Sequence, residues 1–569
     1  MGSRFTRQRF LRAAALAAAY LGLTGTVGSE APQRSSKAQS LRTPKVKPLP
    51  GLPLPPPDGV WAFRSRPDLK APAVEVATQA RDDTAPGYIF IAPEKGGAAG
   101  KGGSMIIDDR AQVVWFNPLR GPYGRTMNFE AQTYQGRDVL TWGQTPGVYV
   151  IFDASYREIA RFRAANGYNG DHHEFLISPQ DTALITIYNA VPQDLSSIGG
   201  SKDSVAIQGI VQELDIQSGE VLFEWHSIDH VALEETYAAP SEDHYPGIDY
   251  FHINSIDVEP DNNLLISARE TSAVYKIDRK SGEIIWRLGG KKSDFQMGEG
   301  THFAFQHDAR RLPDGTISIF DNGSLIFENS TPKAVEESRA IVLELDEERM
   351  SATLVREYTH PEKQYADAAG NMQLLANGNV FVGWGRALAI SEFSKDGKLL
   401  FDLRVSPEHR SYRAFRFEWS GQPTDQPACV AERISEKEVE LYASWNGATE
   451  VASWEVLAGP HPGKLQSLGS IPRDGFETAM QVHSSEPYIA VQAKHRSGRV
   501  LGDTKPVLSK HEANQLVSPP PAAILSITAS SGGAPEPGCR HFVQRDFPPG
   551  VGGLAQYRHA LVKADKPEC

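Results

Sequence analysis

Short apolar segments separated by polar turns run along most of the chain, and their hydrophobic positions seldom follow the three-to-four-residue period of an amphipathic helix. Between about residues 87 and 404 these segments form a two-part repeat. In the first part, a strand leads through a turn of Pro, Asp, Asn or Gly into a second strand. In the second part, an Asp-containing strand and its turn lead into a fourth strand. Four strands per unit, repeated at irregular intervals of roughly 45 to 80 residues, are typical of a β-propeller.

The copies of this repeat predict the number of blades. Paired strands of the first part lie at residues 173–179 and 183–186, 252–258 and 264–267, 306–312 and 317–320, 371–375 and 380–384, and more weakly 128–132 and 139–142. The second part is clearest at residues 212–223 and 275–286, with further copies that begin near Met105, Val148, Val342 and Ile390. The count indicates six blades, with residues 87–93 as the missing first-part strand that closes the ring. An unrelated run of hairpins in a sandwich is the alternative.

After Arg404 the pattern changes to short alternating strands at a spacing of about ten residues, which indicates a fibronectin-III-like or Ig-like β-sandwich. The predicted fold class is therefore all-β, with a six-bladed β-propeller at residues 63–408 and a β-sandwich at residues 409–510. A Pro-rich linker at residues 30–62 and a Pro-rich tail at residues 511–569 flank these domains. Such segments bury too little surface to offset their ordering entropy.

The first 29 residues have the pattern of a signal peptide. Several arginines precede an apolar run from Ala13 to about Val27, which is shorter than the roughly 20 residues of a comfortable bilayer span. We therefore predict export to the periplasm, the cell surface or the medium, with no stable membrane span beyond this segment. An uncleaved anchor and a cytosolic Arg-rich helix are the alternatives.

Composition narrows the function classes. The 569 residues carry a net charge of −12, spread along the chain with no basic stripe for a phosphate backbone, which argues against a nucleic-acid binder. The three cysteines, Cys429, Cys539 and Cys569, form no CxxC motif, so a thiolate metal site or redox motif is not expected. In an exported protein they allow one disulfide and leave one thiol over, and the sequence does not fix the pair.

Three histidines occupy one position of three consecutive repeats. His173, His252 and His307 each stand at the start of a first strand, and the first strands of a propeller line its central channel. His252 lies two residues further from its turn than the other two, and an even offset keeps it on the same strand face. We expect three imidazoles at one mouth of the channel, with Arg269 and Arg310 nearby.

Imidazoles and guanidiniums in one cavity suit an anionic tetrahedral group. Arginine forks bind its oxygens in pairs, and a neutral histidine can act as nucleophile or general base. Sulfuryl transfer should then resemble phosphoryl transfer, in which the protein mainly positions the reactants and stabilises charge. We expect His173, Arg269 and Arg310 to bind the substrate, with no metal or other cofactor. A three-histidine zinc site and purely structural histidines are the alternatives.

With these residues, the sequence resembles the arylsulfotransferases, PAPS-independent bacterial enzymes built on a six-bladed propeller. The resemblance covers about residues 63–419 and is carried by APGYIF (85–90), EWHS (224–227), DYFHINS (249–255), WRLGG (286–290), QHD (306–308) and FDNG (320–323). It implies transfer of a sulfuryl group from a phenolic sulfate ester to a phenolic acceptor through a sulfated histidine, outside the cytoplasm. The sandwich resembles the C-terminal module of one branch of this family.

The resemblance also implies catalytic roles for particular residues. His252 matches the family's first active-site histidine, His307 its second, and Arg339 its active-site arginine. The family's sulfated histidine follows a Gly-rich strand end on a later blade, and the matching residues 383–390 contain no histidine. His360, His252 or His307 could replace it, or this branch could carry out different chemistry or none.

Two further functions are therefore left open. A secreted propeller and sandwich that binds a surface glycan or a protein without turnover is favoured by the missing nucleophile, whereas the His and Arg cluster favours an enzyme. A quinoprotein dehydrogenase is suggested only by residues 278–286, which resemble that family's tryptophan-docking repeat. That pattern occurs in full once, and adjacent cysteines are absent from the sequence, so this third function is the least favoured.

Overall fold

The computed structural model describes residues 45–49, 55–94, 101–119, 124–240, 247–323, 326–328, 331–333 and 337–511. The predicted signal peptide at residues 1–29 lies outside these residues, as do much of the predicted linker, nearly all of the predicted tail, and both Cys539 and Cys569. Among the described residues, no helix is long and apolar enough to cross a membrane.

Within the described residues, six antiparallel sheets of four main strands each are arranged in succession along the chain. We number them sheet 1 to sheet 6 and give their strands in the order of hydrogen bonding, from the channel outward. Sheet 1 consists of Ala414–Phe417, Tyr88–Ile91, Gly103–Ile107 and Val113–Pro118; sheet 2 of Thr126–Tyr134, Arg137–Gln144, Val148–Phe152 and Glu158–Phe162; sheet 3 of Gly170–Ile177, Thr182–Gln193, Ser204–Asp215 and Val221–His226. Sheet 4 consists of Ile253–Val258, Leu264–Ala268, Ala273–Ile277 and Ile284–Gly289; sheet 5 of His307–Arg311, Ile317–Asp321, Arg339–Asp346 and Ser351–Thr359; sheet 6 of Asn371–Leu374, Val380–Gly383, Ala389–Phe393 and Leu399–Val405.

The six sheets form a closed ring. Each innermost strand contacts the innermost strands of the two neighbouring sheets. A hydrophobic cluster fills the space between every two neighbouring sheets, with Trp142 between sheets 1 and 2, Trp225 between sheets 3 and 4, and Trp384 between sheets 5 and 6. A blade buries its faces only against its neighbours, so the ring is one cooperative unit. The predicted all-β class and propeller architecture are confirmed.

Sheet 1 joins the two ends of the ring. Its innermost strand, Ala414–Phe417, follows sheet 6 in the chain and pairs with Tyr88–Ile91 from the N-terminal side. The strand Val74–Thr78 adds to the outer edge of sheet 6 by pairing with Leu399–Val405. Residues 88–91, predicted as a first strand, are thus a second strand. The first strand comes from beyond the predicted domain boundary at residue 408.

Two further sheets share one hydrophobic core and form the sandwich. The first contains Val46–Pro48, Glu477–His483, Glu438–Ser444, Ala428–Arg433 and Lys510–His511, and the second contains Lys464–Pro472, Ser453–His461, Tyr488–Lys494, Val500–Asp503 and Val507–Leu508. Residues 46–48, which fall in the predicted linker, are therefore an edge strand of the sandwich.

The remaining described elements are short. Ile248–Asp249 adds to sheet 3 and Gln296–Met297 to sheet 5, while Ile326–Glu328 and Thr331–Lys333 form a separate hairpin. One α-helical turn, Ser227–His230, and four 3₁₀ turns, Ser196–Ile198, Leu233–Glu235, Gly385–Ala387 and Pro407–His409, are the helical elements of the described residues.

Candidate functional site

At one end of the central channel, residues at the start of the innermost strands surround the opening. We call this end the mouth, and it contains His173, His252, His307 and Tyr412. The ring centroids of His173 and His252 are 5.2 Å apart. The Tyr412 ring lies 5.2 Å from that of His173 and 6.1 Å from that of His307. Met127 and Ala369 pack against Tyr412 on the remaining side. The structure thus brings the three predicted histidines to one end of the channel.

Irregular backbone accompanies these positions. The register of the innermost strand shifts in sheets 2, 3, 4 and 5, and each shift lies beside the mouth. Such bulges redirect side chains and are common next to active sites. His252 itself has a φ of 54°, in the left-handed region that residues other than glycine rarely adopt. Strained backbone of this kind concentrates at functional sites.

His173 and His252 are each held by a carboxylate. His173 Nδ1 lies 2.6 Å from Asp171 Oδ2, and His252 Nδ1 lies 2.6 Å from Asp249 Oδ2. The two imidazole side chains are 18% and 23% exposed. A hydrogen bond at Nδ1 fixes the tautomer and leaves Nε2 for chemistry. Within the described residues, neither Nε2 atom has a hydrogen-bond partner.

In each pair the imidazole and the carboxylate act on each other. Burial lowers the pKa of His252, but the Asp249 carboxylate outweighs it and holds this pKa above its ordinary value. Burial raises the pKa of Asp171, but the charge and hydrogen bond of His173 reverse this and hold that pKa well below its usual range. The Asp249 carboxylate thus stabilises the imidazolium form of His252, and an ionised carboxylate lies at the Nδ1 atom of His173.

His307 is in a different state from the other two histidines. Its Nδ1 is 2.7 Å from Asn322 Oδ1, and its Nε2 accepts a hydrogen bond from the N–H of Ala369 at 3.3 Å. Burial, followed by the positive charge of Arg269, lowers the pKa of His307 well below its ordinary value. His307 is thus a neutral ring with both nitrogens bonded, which suits a positioning role.

Arg269 stands between His252 and His307. Its backbone N–H donates to the His252 carbonyl at 3.0 Å, and its guanidinium pairs with Glu270 and donates to the Asp367 carbonyl at 3.1 Å. Its guanidinium carbon also lies 4.8 Å from the Phe305 ring centroid. The buried Nε atom has no hydrogen-bond partner within the described residues. Arg269 therefore has one donor that no protein group of the described residues takes up.

Arg310 lies in a buried set of charges below the mouth, which we call the axial network: Glu174, Asp308, Arg310 and Arg413. Arg310 Nε donates to Asp308 Oδ1 at 2.9 Å, Nη1 donates to the Ile256 carbonyl at 2.7 Å, and Nη2 pairs with Glu174. These protein acceptors occupy the guanidinium that the sequence assigned to substrate.

Arg339, predicted as a catalytic arginine, is bonded within sheet 5 and its neighbouring loop. Its Nε donates to Asp321 Oδ2 at 3.0 Å and Nη1 to Glu357 Oε2 at 2.9 Å. Nη2 donates to the carbonyls of Gly300 and His302 at 3.1 and 2.7 Å. Within the described residues, no hydrogen bond or ion pair joins Arg339 to a mouth histidine, so the structure does not bring them together.

His360, predicted as a replacement nucleophile, lies by the outer strand of sheet 6. Its Nε2 is 3.4 Å from Asp402 Oδ1, and its Nδ1 accepts from the N–H of Glu362 at 3.0 Å. Its ring packs against Trp384 at 5.7 Å. His360 is buried there with both nitrogens facing protein groups, away from the other three histidines.

Residues 383–390, where the family's sulfated histidine is expected, form the end of a strand and the 3₁₀ turn Gly385–Ala387. Arg386 in this turn pairs with Asp367 Oδ2 at 3.2 Å. The carbonyl of the same Asp367 accepts from Arg269. Within this stretch, Arg386 therefore binds the same residue as Arg269.

Sequence reasoning missed four residues of this site. Tyr188 lies 5.3 Å from the His173 ring and 5.2 Å from the His252 ring, and its hydroxyl donates to the Ile253 carbonyl at 2.6 Å. Tyr412 was assigned to the sandwich. Asp171 and Asp249 each precede their histidine by two or three positions, and that spacing was the available signal.

The described residues contain no group of three or more His, Cys, Asp or Glu side chains placed to hold a metal ion. The three-histidine zinc site considered from the sequence therefore has no ready-made ligand set at this mouth.

Comparison with known proteins finds a family match for the central part of the chain. Residues 130–406 match the family model described as Arylsulfotransferase (ASST). The match ends before the sandwich, so membership of a branch with a C-terminal sandwich stays a prediction. No curated protein sequence matches the chain significantly.

Solved structures resemble the chain only distantly. A protein of unknown function from Bacteroides caccae is 14% identical with a TM-score of 0.36, over 58% of this chain and 98% of that one. A catalytically inactive virginiamycin B lyase from Staphylococcus aureus, solved with quinupristin, is 10% identical with a TM-score of 0.31, over 65% of this chain and 95% of that one. The periplasmic gluconolactonase of Pseudomonas aeruginosa is 12% identical with a TM-score of 0.24, over 68% of this chain and 96% of that one.

Proposed function

We propose that this chain, whose residues 130–406 belong to the arylsulfotransferase family, transfers a sulfuryl group from a phenolic sulfate ester to a phenolic acceptor at the mouth. The observation that carries the proposal is the pair of carboxylate-held imidazoles of His173 and His252, 5.2 Å apart and next to Arg269. Two such rings can divide the work of attack and protonation without the histidine that residues 383–390 lack.

We assign the acid role to His252, whose protonated form the Asp249 carboxylate favours. A protonated imidazole cannot attack sulfur, but it can donate its Nε2 proton to a leaving phenolate. His173 is then the nucleophile, because Asp171 holds its Nδ1–H and keeps the Nε2 lone pair directed away from the carboxylate.

The first step forms a bond between His173 Nε2 and the ester sulfur and breaks the bond between sulfur and the aryl oxygen. The departing phenolate takes the proton from His252 Nε2 and leaves as a phenol. The Nδ1 proton of His173 stays on that nitrogen, hydrogen-bonded to Asp171, and Nε2 carries the sulfuryl group. His252 becomes neutral.

The second step reverses the proton flow. Neutral His252 takes the proton of the acceptor phenol, whose oxygen bonds to sulfur as the bond to His173 Nε2 breaks. The product is a new aryl sulfate, and both rings return to their starting forms. Throughout, the charge on the sulfuryl oxygens is stabilised by Arg269, whose buried Nε remains available as a donor.

The test is release of 4-nitrophenol from 4-nitrophenyl sulfate by the purified protein, with and without a second phenol. We expect release that depends on the second phenol, a loss of about 10²–10⁴-fold in His252→Ala, and background rates in His173→Ala. His226→Ala is the matched control, since His226 makes a similar pair with Glu224 at 2.8 Å on the outer strand of sheet 3. No release from the wild type would reject aryl sulfate as the substrate and favour a propeller that binds a ligand without turnover.

We also propose that the protein works outside the cytoplasm, on the support of the arginines and the apolar run that precede Val27. N-terminal sequencing of the protein recovered from the periplasm or the medium should then begin beyond this run. Recovery only from the cytosol with Met1 retained would reject export.

A further inference from the structure

Arg413 lies on the channel axis, fully buried, immediately after Tyr412 in the segment that closes the ring. Its guanidinium reaches four other sheets. Nη1 donates to Asn128 Oδ1 of sheet 2 at 2.7 Å and to Glu174 Oε1 of sheet 3 at 3.1 Å, while Nη2 donates to the Asn254 carbonyl of sheet 4 at 2.8 Å and pairs with Asp308 Oδ1 of sheet 5 at 3.4 Å. One planar group therefore holds four innermost strands at a fixed separation.

Three partners of this guanidinium lie one or two positions after a mouth histidine in the sequence. Glu174 follows His173, Asp308 follows His307, and Asn254 stands two residues after His252. Because neighbouring residues share one backbone, holding the inner residue restricts the backbone from which the neighbouring side chain extends. The hydrogen bonds of Arg413 thus determine where the imidazoles stand relative to one another.

We propose that Arg413 is the positioning residue of the transfer site, and that the site is assembled only when the closing segment has docked. The effect of Arg413 on catalysis rests on the proposed function. Its effect on the placement of the histidines does not. Arginine suits the task because its rigid fork bonds several acceptors in one plane, which a lysine cannot do.

The charges around Arg413 make its role measurable through the pKa values of nearby histidines, which a merely structural role would leave unchanged. Glu174 and Asp308 share two guanidiniums, Arg310 and Arg413. Burial, and then the charge of Glu174, raises the pKa of nearby Glu130 to about 8, so Glu130 is uncharged at neutral pH. Without Arg413, two carboxylates would face Arg310 alone. The added negative field next to His307 would raise the pKa values of His252 and His307.

Arg416, on the strand that begins directly after Arg413, offers a matched control. It is also fully buried, and it donates to Asp109 Oδ1 at 2.8 Å and pairs with Glu392 Oε2 at 3.0 Å. These partners are not beside the mouth. Loss of either guanidinium should therefore lower the melting temperature to a similar degree, and only loss of Arg413 should alter the site.

The experiment compares Arg413→Met, Arg413→Lys and Arg416→Met in the full chain, at a temperature where circular dichroism shows each to be folded. We expect kcat/KM for 4-nitrophenyl sulfate to fall about 10²-fold in Arg413→Met, mostly in kcat, since misplacement by about 1 Å has that cost. We expect its pH profile to move to higher pH. Arg413→Lys keeps the charge but not the fork, so it should keep the wild-type pH profile and lose part of kcat. Arg416→Met should stay within about threefold of the wild type.

A second measurement separates this inference from the proposed function. In protein labelled with ¹³C-histidine, the His252 and His307 signals can be assigned by the loss of each in a single variant. We expect these signals to titrate at higher pH in Arg413→Met and to be unchanged in Arg416→Met, whether or not aryl sulfate is the substrate. Unchanged histidine titrations in Arg413→Met, or equal changes in both variants, would overturn the proposal.

Discussion

The protonation of His252 depends on charged groups that surround its ring. Burial lowers its pKa, the Asp249 carboxylate raises it more, and Arg269 and Glu270 act in opposite directions. If His252 is the general acid, its protonated form is the active one. The kcat/KM for an aryl sulfate should then fall as the pH rises through this pKa.

Asp249→Asn tests that assignment. The substitution removes the carboxylate that raises the pKa of His252, so burial and Arg269 should lower this pKa and the fall in kcat/KM should begin at lower pH. Glu224→Gln, beside His226 on the outer strand of sheet 3, should leave the profile unchanged. A fall that stays in place, or moves to higher pH, contradicts the role of His252 as the acid. The measurement is the pH dependence of 4-nitrophenol release.

How far the sequence predicts individual residues depends on whether the repeat carries the information. His173, His252 and His307 share a repeat position, so the sequence could indicate that they share a mouth. It could not separate their states, because those follow from the local partners Asp171, Asp249 and Asn322.

Arg310 illustrates the opposite case. Its place in the repeat is close to the mouth, but Glu174 and Asp308 bind its guanidinium below the surface. Arg339 and His360 were assigned through the resemblance or by exclusion, and hydrogen bonds from distant segments of the chain fix their side chains elsewhere. Such partners cannot be read from local sequence.

Side-chain amides join neighbouring innermost strands, where no backbone ladder can. Asn371 of sheet 6 accepts from the N–H of Ala414 at 2.9 Å and donates to the carbonyl of the same residue at 2.8 Å. Gln373 does the same for Arg416, at 2.8 and 3.0 Å. Between sheets 2 and 3, Gln132 accepts from the Ile177 N–H and donates to the Phe175 carbonyl. The closing strand, Ala414–Phe417, is therefore held by Asn371 and Gln373 on one side and by Tyr88–Ile91 on the other.

Asn371→Ala should weaken this closure. It leaves two buried backbone groups of Ala414 without their partners, so we expect the free energy of unfolding to fall by about 2–4 kcal/mol. Asn377→Ala, at an exposed turn of the same sheet, removes one hydrogen bond from the Asn379 N–H at 3.0 Å, so it should change this free energy by no more than about 1 kcal/mol. Urea unfolding followed by tryptophan fluorescence measures both. A loss in Asn371→Ala no larger than in Asn377→Ala would show that the amide does not hold the closing strand.

The sequence predicts most strands of the ring but not the strand that closes it. The alternating pattern of residues 414–417 is equally typical of a sandwich, and its partner, Tyr88–Ile91, lies at the other end of the propeller sequence. Only closure of the ring brings the two together, and it also brings Tyr412 and Arg413 to the site.

One contact between the sandwich and the propeller is the loop that follows the strand Glu438–Ser444. Another is Phe476, which packs into the hydrophobic cluster between sheets 1 and 6. Asn446 accepts from the Phe116 N–H at 2.9 Å and donates to its carbonyl at 3.0 Å. The Gly447 N–H donates to the Val114 carbonyl at 2.8 Å, and the Gly447 carbonyl accepts from the Tyr156 hydroxyl at 2.8 Å. Tyr156 also stacks on Trp115 at 4.9 Å. The loop is thus bound to sheets 1 and 2 by both backbone and aromatic contacts, so the two domains should unfold together.

Gly447→Ala tests whether this loop couples the two domains. Gly447 has a φ of 90°, and a Cβ there would lie 2.8 Å from Trp115 Cδ1 and closer still to the Tyr156 ring. The strained backbone angle and the steric clash both oppose docking of the loop, at a cost of about 1–3 kcal/mol. We expect wild-type protein to unfold in one calorimetric transition, and Gly447→Ala to unfold at lower temperature with the sandwich separating first. Gly463→Ala is the control, because a Cβ there meets only His461 Nδ1 at 3.5 Å. If Gly447→Ala unfolds like Gly463→Ala, the contacts of this loop do not transmit stability between the two domains.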